Sequence, residues 1–298
     1  MIDRASIMAW NEFVPWTDFA MVEQDLIISR ALVDIFSDDF LREQLAFRGG
    51  TALHKLYLSP QIRYSEDIDL VQINPGPIKP ILFRLGEVLS WMPDKVIKPK
   101  RHNNTMLFRM ESEIPPVQPI RLKVEINCKE HFSVMGFHKV PFEVNNKWFS
   151  GRCEITTYAL DELIGTKLRA LYQRKKGRDL FDMQVALDHG NINIEKTLEC
   201  YSKYMDFVVE KAPTYKQFVQ NMELKLQDPE FLDDTDILLR AGADKFDPQR
   251  AYAMVKESFI DKLPGKRDYI TNPSASRKNC WRVAFGVVVI HSLTRHEG

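Results

Sequence analysis

The stretch that decides the fold begins with FRGGTALHKLY at residues 47–57 and continues with RYSEDIDL at residues 63–70. In the first part, the paired Gly49 and Gly50 interrupt one apolar pattern, and helical spacing resumes at Ala52. In the second part, polar and apolar residues alternate with period two, which is typical of a β-strand. The stretch therefore predicts a strand or loop, a glycine turn, a helix and then a strand.

This alternation places two carboxylates, Asp67 and Asp69, on one face of the predicted strand, about 6.5–7 Å apart along the backbone. Both can reach a hard divalent cation such as Mg²⁺, which would offset their mutual repulsion. The Gly-Gly-Thr turn at residues 49–51 lets backbone N–H groups approach a phosphate, the Thr51 hydroxyl can add a contact, and Ser65 supplies a second hydroxyl nearby. Solvated acids beside an edge strand are the alternative interpretation.

A third carboxylate lies in a second alternating segment, RLKVEIN at residues 121–127. The alternation directs Leu122, Val124 and Ile126 inward and places Glu125 on the opposite face. If this strand pairs beside the strand of Asp67 and Asp69, Glu125 completes a three-carboxylate cluster, as two-metal nucleotidyl transfer requires. A half-exposed strand with alternating charges is the alternative.

Basic residues gather where the sequence turns almost entirely helical in pattern, after residue 157. Lys167 lies four residues from both Leu163 and Leu171, so its stem lies in or beside an apolar stripe and its ammonium needs water or an anion. Residues 167–178 hold six basic residues and no acid, which indicates a local phosphate-binding patch: Lys167, Arg169, Arg174, Lys175, Lys176 and Arg178. A solvated loop is the alternative.

Two aspartates follow the patch in the segment RDLFDM at residues 178–183. On a helix, Asp179 and Asp182 are neighbours at positions i and i+3. Asp179 could hold Lys167 or Arg178 in an ion pair, or it could position a substrate hydroxyl. Acids that complement the helix dipole at its N-terminus are the alternative.

The composition limits the remaining classes of protein. The chain has 298 residues, 44% apolar and 28% charged, as in an ordinary globular protein of about two domains. Lys plus Arg and Asp plus Glu both number 41, so a nucleic-acid site must be a local patch. No secretory signal is predicted, because the N-terminus carries an acid at Asp3 and no apolar segment, and no membrane helix is predicted, because the longest clean apolar run is residues 284–290. We therefore expect a cytoplasmic protein without a membrane partner, whose four cysteines are reduced thiols.

The change of pattern also predicts the division of the chain. Residues 1–155 are expected to form a mixed α/β core, and residues 156–273 a helical region, with the boundary near residues 151–157. Residues 274–298 match neither part and are expected to form a final strand or a poorly fitting tail.

The order of these motifs resembles the AbiEii family of nucleotidyltransferase-like toxins from bacterial type IV toxin–antitoxin and abortive-infection systems. The resemblance covers roughly residues 19–187 and rests on five motifs in the same order: FRGGTAL, RYSEDIDL, KVEIN, KLRAL and RDLFD. It implies an α+β fold, namely a polymerase-β-like nucleotidyltransferase core with a small mixed sheet, followed by a helical region.

Carried over residue by residue, the resemblance implies a role for each motif. The metal ligands would be Asp67, Asp69 and, less directly matched, Glu125. Residues for catalysis would be Asp67, Asp69, Lys167 and Asp179, where Lys167 matches the lysine of K-L-x-A-L and Asp179 belongs, with Asp182, to R-D-x-x-D. Nucleotide phosphates would be bound by Gly49, Gly50, Thr51, Ser65, Arg174 and Arg178.

The implied activity is transfer of a nucleoside monophosphate from a nucleoside triphosphate, with Mg²⁺ or Mn²⁺ as cofactor and pyrophosphate as leaving group. Related toxins act on tRNA acceptor ends, so the expected partners are tRNA and a cognate AbiEi-like antitoxin. Two alternatives stay open. One is a nucleotidyltransferase that modifies a protein or a small molecule, and the other is a nucleotide- or partner-binding module without catalysis.

Overall fold

A computed structural model describes residues 2–266, except residues 15, 210, 211 and 241. Its strands are β1 Leu45–Arg48, β2 Asp67–Gln72, β3 Val96–Lys98, β4 Asn103–Glu111, β5 Pro119–Asn127, β6 Phe137–Asn145 and β7 Ser150–Tyr158. Its α-helices are α1 Arg4–Trp10, α2 Phe19–Ser37, α3 Asp39–Gln44, α4 Gly49–Leu56, α5 Lys79–Val88, α6 Leu160–Gln173, α7 Gly177–His189, α8 Ile194–Val208, α9 Tyr215–Lys225, α10 Pro229–Leu232 and α11 Pro248–Ser258.

All seven strands of this part of the chain belong to one mixed sheet, in the order β3-β4-β5-β2-β1-β7-β6. The central strand β2 is antiparallel to β1 and parallel to β5. In the parallel pair, Asp67 lies opposite Lys123 and Asp69 lies opposite Glu125. The two carboxylate-bearing strands are therefore neighbours, which was the condition for Glu125 to share a face with Asp67 and Asp69.

Helix α2 forms the apolar layer against the sheet and packs on β7, β6 and β5. Its sequence carries two apolar stripes, and residues from both are buried, among them Leu26, Ile28 and Leu32. Asp18 caps its N-terminus by accepting a hydrogen bond from the Ala20 N–H. This layer, together with α5 and the inner face of the sheet, makes the first hydrophobic core.

A second core lies among α6, α7, α9 and α11. Helix α4 joins the two cores, because Ala52 packs into the first and Leu53 into the second. The helix that begins at the paired glycines is thus wedged between the sheet and the helical region. Any site at its N-terminus is bordered by both.

The helix α4 and the strands β2 and β5 lie at their predicted positions, whereas β3, β6 and β7 carry no sequence prediction. β6 is an edge strand with mostly exposed side chains, and it contains Pro141, which a sheet tolerates at its edge. Its apolar alternation is correspondingly weak. The expected boundary near residues 151–157 falls inside β7, and the chain becomes helical at Leu160, after β7 ends at Tyr158.

Some expectations concern residues that the structure does not describe. The segment 274–298, with its apolar run at 284–290 and Cys280, lies outside the described residues. Cys128, Cys153 and Cys200 are free cysteines. Among the described helices, none combines the length and the apolar character needed to cross a bilayer.

Candidate active site

The glycine turn lies directly against the second aspartate of the strand motif. Gly49 has a φ of +83°, and a Cβ built there would lie 2.3 Å from Asp69 Oδ2. Only glycine therefore fits at this position, both for its left-handed backbone and for the close approach of the carboxylate. Helix α4 begins at Gly49, directly after β1, so its unpaired first N–H groups lie at the end of the carboxylate-bearing strand.

The hydroxyls of Thr51 and Ser65 have different positions. Thr51 is buried and donates to the Asp67 carbonyl oxygen at 2.5 Å, so Ser65 Oγ is the donor in their mutual 2.7 Å hydrogen bond. Thr51 thus ties the glycine turn to the strand. Ser65, in contrast, lines the pocket beside Asp67.

The environment of Asp67 and Asp69 raises the pKa of both carboxyl groups. Burial, together with the charges of Asp69 and Glu66, raises the pKa of Asp67 to about 6, although Lys123 acts in the opposite direction. Burial also raises the pKa of Asp69, with repulsion from Glu125 adding to it and Arg48 opposing it. A site that disfavours its own ionised carboxylates favours a bound cation.

Glu125 lies on the same face, but both of its oxygens already have contacts. Lys123 Nζ lies 2.5 Å from Glu125 Oε2 and 3.5 Å from Asp67 Oδ2. Asn103 Nδ2 donates to Glu125 Oε1 at 3.4 Å. The face predicted to be a three-carboxylate cluster therefore also contains an ammonium group.

Across the cleft, Lys167 projects from α6 to two buried aspartates of α7. Its Nζ lies 2.6 Å from Asp182 Oδ2 and 3.0 Å from Asp179 Oδ1. Arg174 donates two hydrogen bonds to the Asp179 carboxylate, one of 2.7 Å from Nε and one of 2.8 Å from Nη2. Of the alternatives left open for Asp179, the geometry supports the ion pair, and its partners are Lys167 and Arg174.

Burial alone would raise the pKa of Asp179 and of Asp182, yet nearby cations hold both below their ordinary range. Lys167 and Arg174 do so for Asp179, and Arg63 and Lys167 do so for Asp182. Both carboxylates are fully buried and remain ionised. The pair therefore fixes the position of the cations around it.

Two residues of this network lie within the quoted stretches of sequence but were assigned no role there. Arg63 donates to Asp182 from Nε at 2.6 Å and from Nη2 at 2.7 Å, although the two residues are 119 positions apart. His54 Nε2 lies 2.9 Å from the same carboxylate, and burial lowers the pKa of this imidazole. With His54 neutral, three cations face two carboxylates, which leaves one positive charge beside the cleft.

Two adjoining pockets make up the cleft, with volumes of about 240 and 330 Å³. They share Gly50, Asp69, Lys167 and Arg174. The first also contains Ser65, Asp67, Lys175, Lys176 and Arg178, and the second contains Arg48, Gly49, Thr166, Arg169 and Gln173. A larger cavity of about 490 Å³ beside Trp91 and Trp148 holds none of the predicted site residues.

Arg48 and Arg169 of the second pocket share one buried carboxylate, which sequence reasoning did not select. Arg48 Nη1 lies 2.5 Å from Glu130 Oε2, and Arg169 Nη1 lies 2.6 Å from Glu130 Oε1. Burial alone would raise the pKa of Glu130, but these two cations hold it at about 2. The turn between β5 and β6 thus fixes two arginines at the cleft.

The outer part of the predicted basic patch is paired with three acids in and next to α10, at residues 228, 230 and 234, which we call the acids of α10. Lys175 contacts Asp228 and Glu230, Lys176 contacts Glu230 and Asp234, and Arg178 contacts Asp234. The two segments meet because a Cβ at Gly177 would lie only 2.0 Å from the Phe231 carbonyl oxygen, so α10 packs tightly on the start of α7. The patch is therefore partly neutralised.

The donor set around Asp67 fits a divalent ion bound jointly with a nucleotide. Among the described residues, no group of three or more His, Cys, Asp or Glu side chains could hold an ion by itself. Mg²⁺, however, is usually bound by one or two carboxylates together with substrate phosphates. The carboxylates of Asp67 and Asp69 would supply that part of the coordination.

Comparison with known proteins agrees with this geometry. Residues 30–264 match the family described as the nucleotidyl transferase AbiEii toxin of the type IV toxin–antitoxin system. The chain belongs to the AbiEii family. It is accordingly a nucleotidyltransferase toxin of this class, and membership implies a nucleotide substrate and an antitoxin partner. A search of curated proteins gives no significant match.

One solved structure shares the fold at low sequence identity, and a second chain is similar at a lower TM-score. MenT4, a nucleotidyltransferase toxin from Mycobacterium tuberculosis H37Rv, is 16% identical, with a TM-score of 0.64 over 90% of this chain and 92% of MenT4. JHP933 from Helicobacter pylori is 19% identical over 86% of this chain and 98% of its own, with a TM-score of 0.49. The predicted α+β nucleotidyltransferase fold of the AbiEii chain, a mixed sheet followed by helices, is confirmed.

Proposed function

We propose that this AbiEii chain transfers a nucleoside monophosphate from a nucleoside triphosphate to a hydroxyl group of tRNA. The acceptor oxygen forms a bond to the α-phosphorus, the bond to the β-phosphate oxygen breaks, and pyrophosphate leaves. The hydroxyl proton passes to solvent. The observation that carries the proposal is one cleft in which Asp67 and Asp69 lie opposite Lys167 and Arg174.

The sheet side of the cleft would hold the cofactor. Asp67 and Asp69 would bind Mg²⁺ or Mn²⁺ together with phosphate oxygens of the nucleotide. When bound, the ion neutralises charge that develops on the phosphates. The pKa of Asp67 is raised only to about 6, so its carboxyl group is ionised at neutral pH and is available as a ligand.

The helix side would hold the triphosphate. An ammonium has three N–H bonds, and Lys167 uses two of them on Asp179 and Asp182. The third has no partner among the described residues and can donate to a phosphate oxygen. Asp179 positions Lys167 and Arg174 for this contact, so its contribution to catalysis passes through these two cations.

The remaining phosphate contacts would come from the rim of the first pocket. The backbone at Gly49 and Gly50 and the Ser65 hydroxyl lie at the carboxylate end. Arg178, Lys175 and Lys176 lie at the other end, where a phosphate would compete with the acids of α10 for them. Thr51, tied to the Asp67 backbone, would support the turn from behind.

The proposal of tRNA as acceptor rests on the family resemblance, and the basic character of the cleft is compatible with it. The test is incubation of the protein with each labelled nucleoside triphosphate, Mg²⁺, and either total RNA or total protein. We expect label in the tRNA fraction, with release of pyrophosphate and no incorporation by Asp67→Ala. Label in protein instead would move the acceptor to a protein, and nucleotide binding without pyrophosphate release would indicate a non-catalytic module.

A further inference from the structure

Lys123 lies where the carboxylates of the site converge. The parallel register of β2 and β5 places it opposite Asp67, on the same face as Glu125. Its ammonium contacts both carboxylates, at 2.5 Å from Glu125 and 3.5 Å from Asp67. A cation of the chain itself therefore bridges the first and third of the three predicted metal ligands.

This position conflicts with a second divalent ion. In two-metal sites the ions lie about 3.5–4 Å apart, and each draws on the same small group of carboxylates. An ion on Glu125 would lie beside the Lys123 ammonium, and two like charges at that range repel. The other Glu125 oxygen accepts from Asn103, so the side chain is held from both sides.

The charge on this face matches one divalent ion. In the cluster of Asp67, Asp69, Glu125 and Lys123, the carboxylates supply three negative charges and Lys123 supplies one positive charge, while the nearby Arg48 is paired with Glu130. Two negative charges remain, which one Mg²⁺ neutralises. The absence of a three-carboxylate metal cluster from the part of the chain that the structure describes is consistent with this count.

We infer that the Lys123 ammonium takes the place of a second divalent ion, so that the nucleotide-bound site holds one ion, on Asp67 and Asp69. Glu125 then acts by holding Lys123 and is not a direct metal ligand. This inference rests on the proposed function, because it presupposes that nucleotide and metal bind together in the cleft.

The test counts bound Mn²⁺ per bound nucleotide, using a non-hydrolysable triphosphate analogue and electron paramagnetic resonance of the free ion. We expect one ion per nucleotide in the wild-type protein and two in Lys123→Met, where Glu125 loses its ammonium partner. Lys123→Arg keeps the charge and should keep one ion. Arg121→Met is the matched control, since it removes a positive charge two positions earlier on the same strand and should also keep one ion.

The outcomes separate the inference from the proposed function. Two ions per nucleotide in the wild-type protein would overturn the inference and leave nucleotidyl transfer intact. One ion in both wild type and Lys123→Met would also overturn it, because Lys123 would not be what excludes the second ion. Failure of the wild-type protein to bind either Mn²⁺ or the analogue would overturn the inference and the proposed function together.

Discussion

The two walls of the cleft differ in their balance of carboxylates and cations, and the pKa values of their aspartates are shifted in opposite directions. On the sheet wall, formed by Asp67, Asp69, Lys123 and Glu125, carboxylates outnumber cations and the pKa of Asp67 is raised to about 6. On the helix wall, formed by Lys167, Arg174, Asp179 and Asp182, every carboxylate oxygen has a cationic partner. Burial there is deep, yet the pKa values of both aspartates are lowered.

This difference shows where function and stability can be separated. A carboxylate whose pKa is raised by folding makes the folded state less stable at neutral pH, so its removal costs the fold little. A buried carboxylate or cation of a matched pair does the reverse, because its loss leaves an unpaired charge. Substitutions of Asp67 and Asp69 should therefore lower activity without destabilising the fold, and substitutions on the helix wall should lower both activity and stability.

The largest effect is expected from Asp67→Ala and Asp69→Ala. Each removes one of the two carboxylates proposed to bind the ion and should lower the rate at least about 1000-fold, since the phosphate charge is then uncompensated. The melting temperature should stay the same or rise, because folding raises the pKa of both carboxylates. Pyrophosphate release and thermal unfolding measured on the same samples check both parts. Normal turnover in EDTA, or by Asp69→Ala, would contradict the sheet wall as a metal site.

Lys167→Met should show the other pattern. Deleting the charge removes one preorganised contact to the triphosphate and should lower the rate at least ~100-fold. It should also lower the free energy of unfolding by about 1–3 kcal/mol, because Asp179 and Asp182 each lose a charged hydrogen bond. An apolar stripe around Lys167, taken alone, would predict that methionine is neutral for stability. Pyrophosphate release and denaturant unfolding distinguish the two.

Lys225→Met is a matched control for that experiment. Lys225 is also buried, but it donates to the Leu171 and Tyr172 carbonyl oxygens at the end of α6 and does not line the cleft. Its loss should destabilise the protein to a similar extent and leave the rate nearly unchanged. If both lysine variants lose activity in proportion to stability, the effect of Lys167 is structural and the helix wall has no direct contact with the nucleotide.

The sheet wall was largely predictable from the sequence, because it depends on periodicity. Period two fixes which face Asp67, Asp69 and Glu125 share, and the structure confirms that β2 and β5 are neighbours. Periodicity does not predict which other side chain a given residue will contact. Lys123 shares the face of Glu125, yet nothing in the alternation shows that its ammonium bridges two carboxylates.

The helix wall was only partly predictable, for the same reason. The i, i+3 spacing places Asp179 and Asp182 together, and the apolar stripe indicates that the Lys167 ammonium needs an anion, but it does not identify these two aspartates as the anions. Arg63 reaches Asp182 only because the glycine turn and the second core bring together residues 119 positions apart. Likewise, counting basic residues along the chain identifies the patch at residues 167–178. It does not identify the acids of α10, because these lie about fifty residues later in the sequence.

That outer patch gives the smallest expected effect, on RNA binding. The side chains of Lys175 and Lys176 reach solvent and pair with Asp228, Glu230 and Asp234, and ion pairs at the surface contribute little to stability. Lys175→Gln combined with Lys176→Gln should therefore leave the melting temperature almost unchanged. For tRNA as acceptor, it should weaken binding and reduce the slope of log affinity against log salt by roughly 0.7–0.9 for each phosphate that these lysines no longer neutralise.

The acids of α10 sharpen this last prediction, because they compete with phosphates for the same lysines. Glu230→Gln removes an acid that contacts both lysines and should strengthen tRNA binding modestly. Lys139→Gln is the control, since Lys139 is an exposed, ion-paired lysine on the edge strand β6, outside the cleft. Titration of labelled tRNA at several salt concentrations measures all three. Unchanged affinity in the double lysine variant would show that RNA does not bind at the outer patch, and the cations of the helix wall would then act on the nucleotide alone.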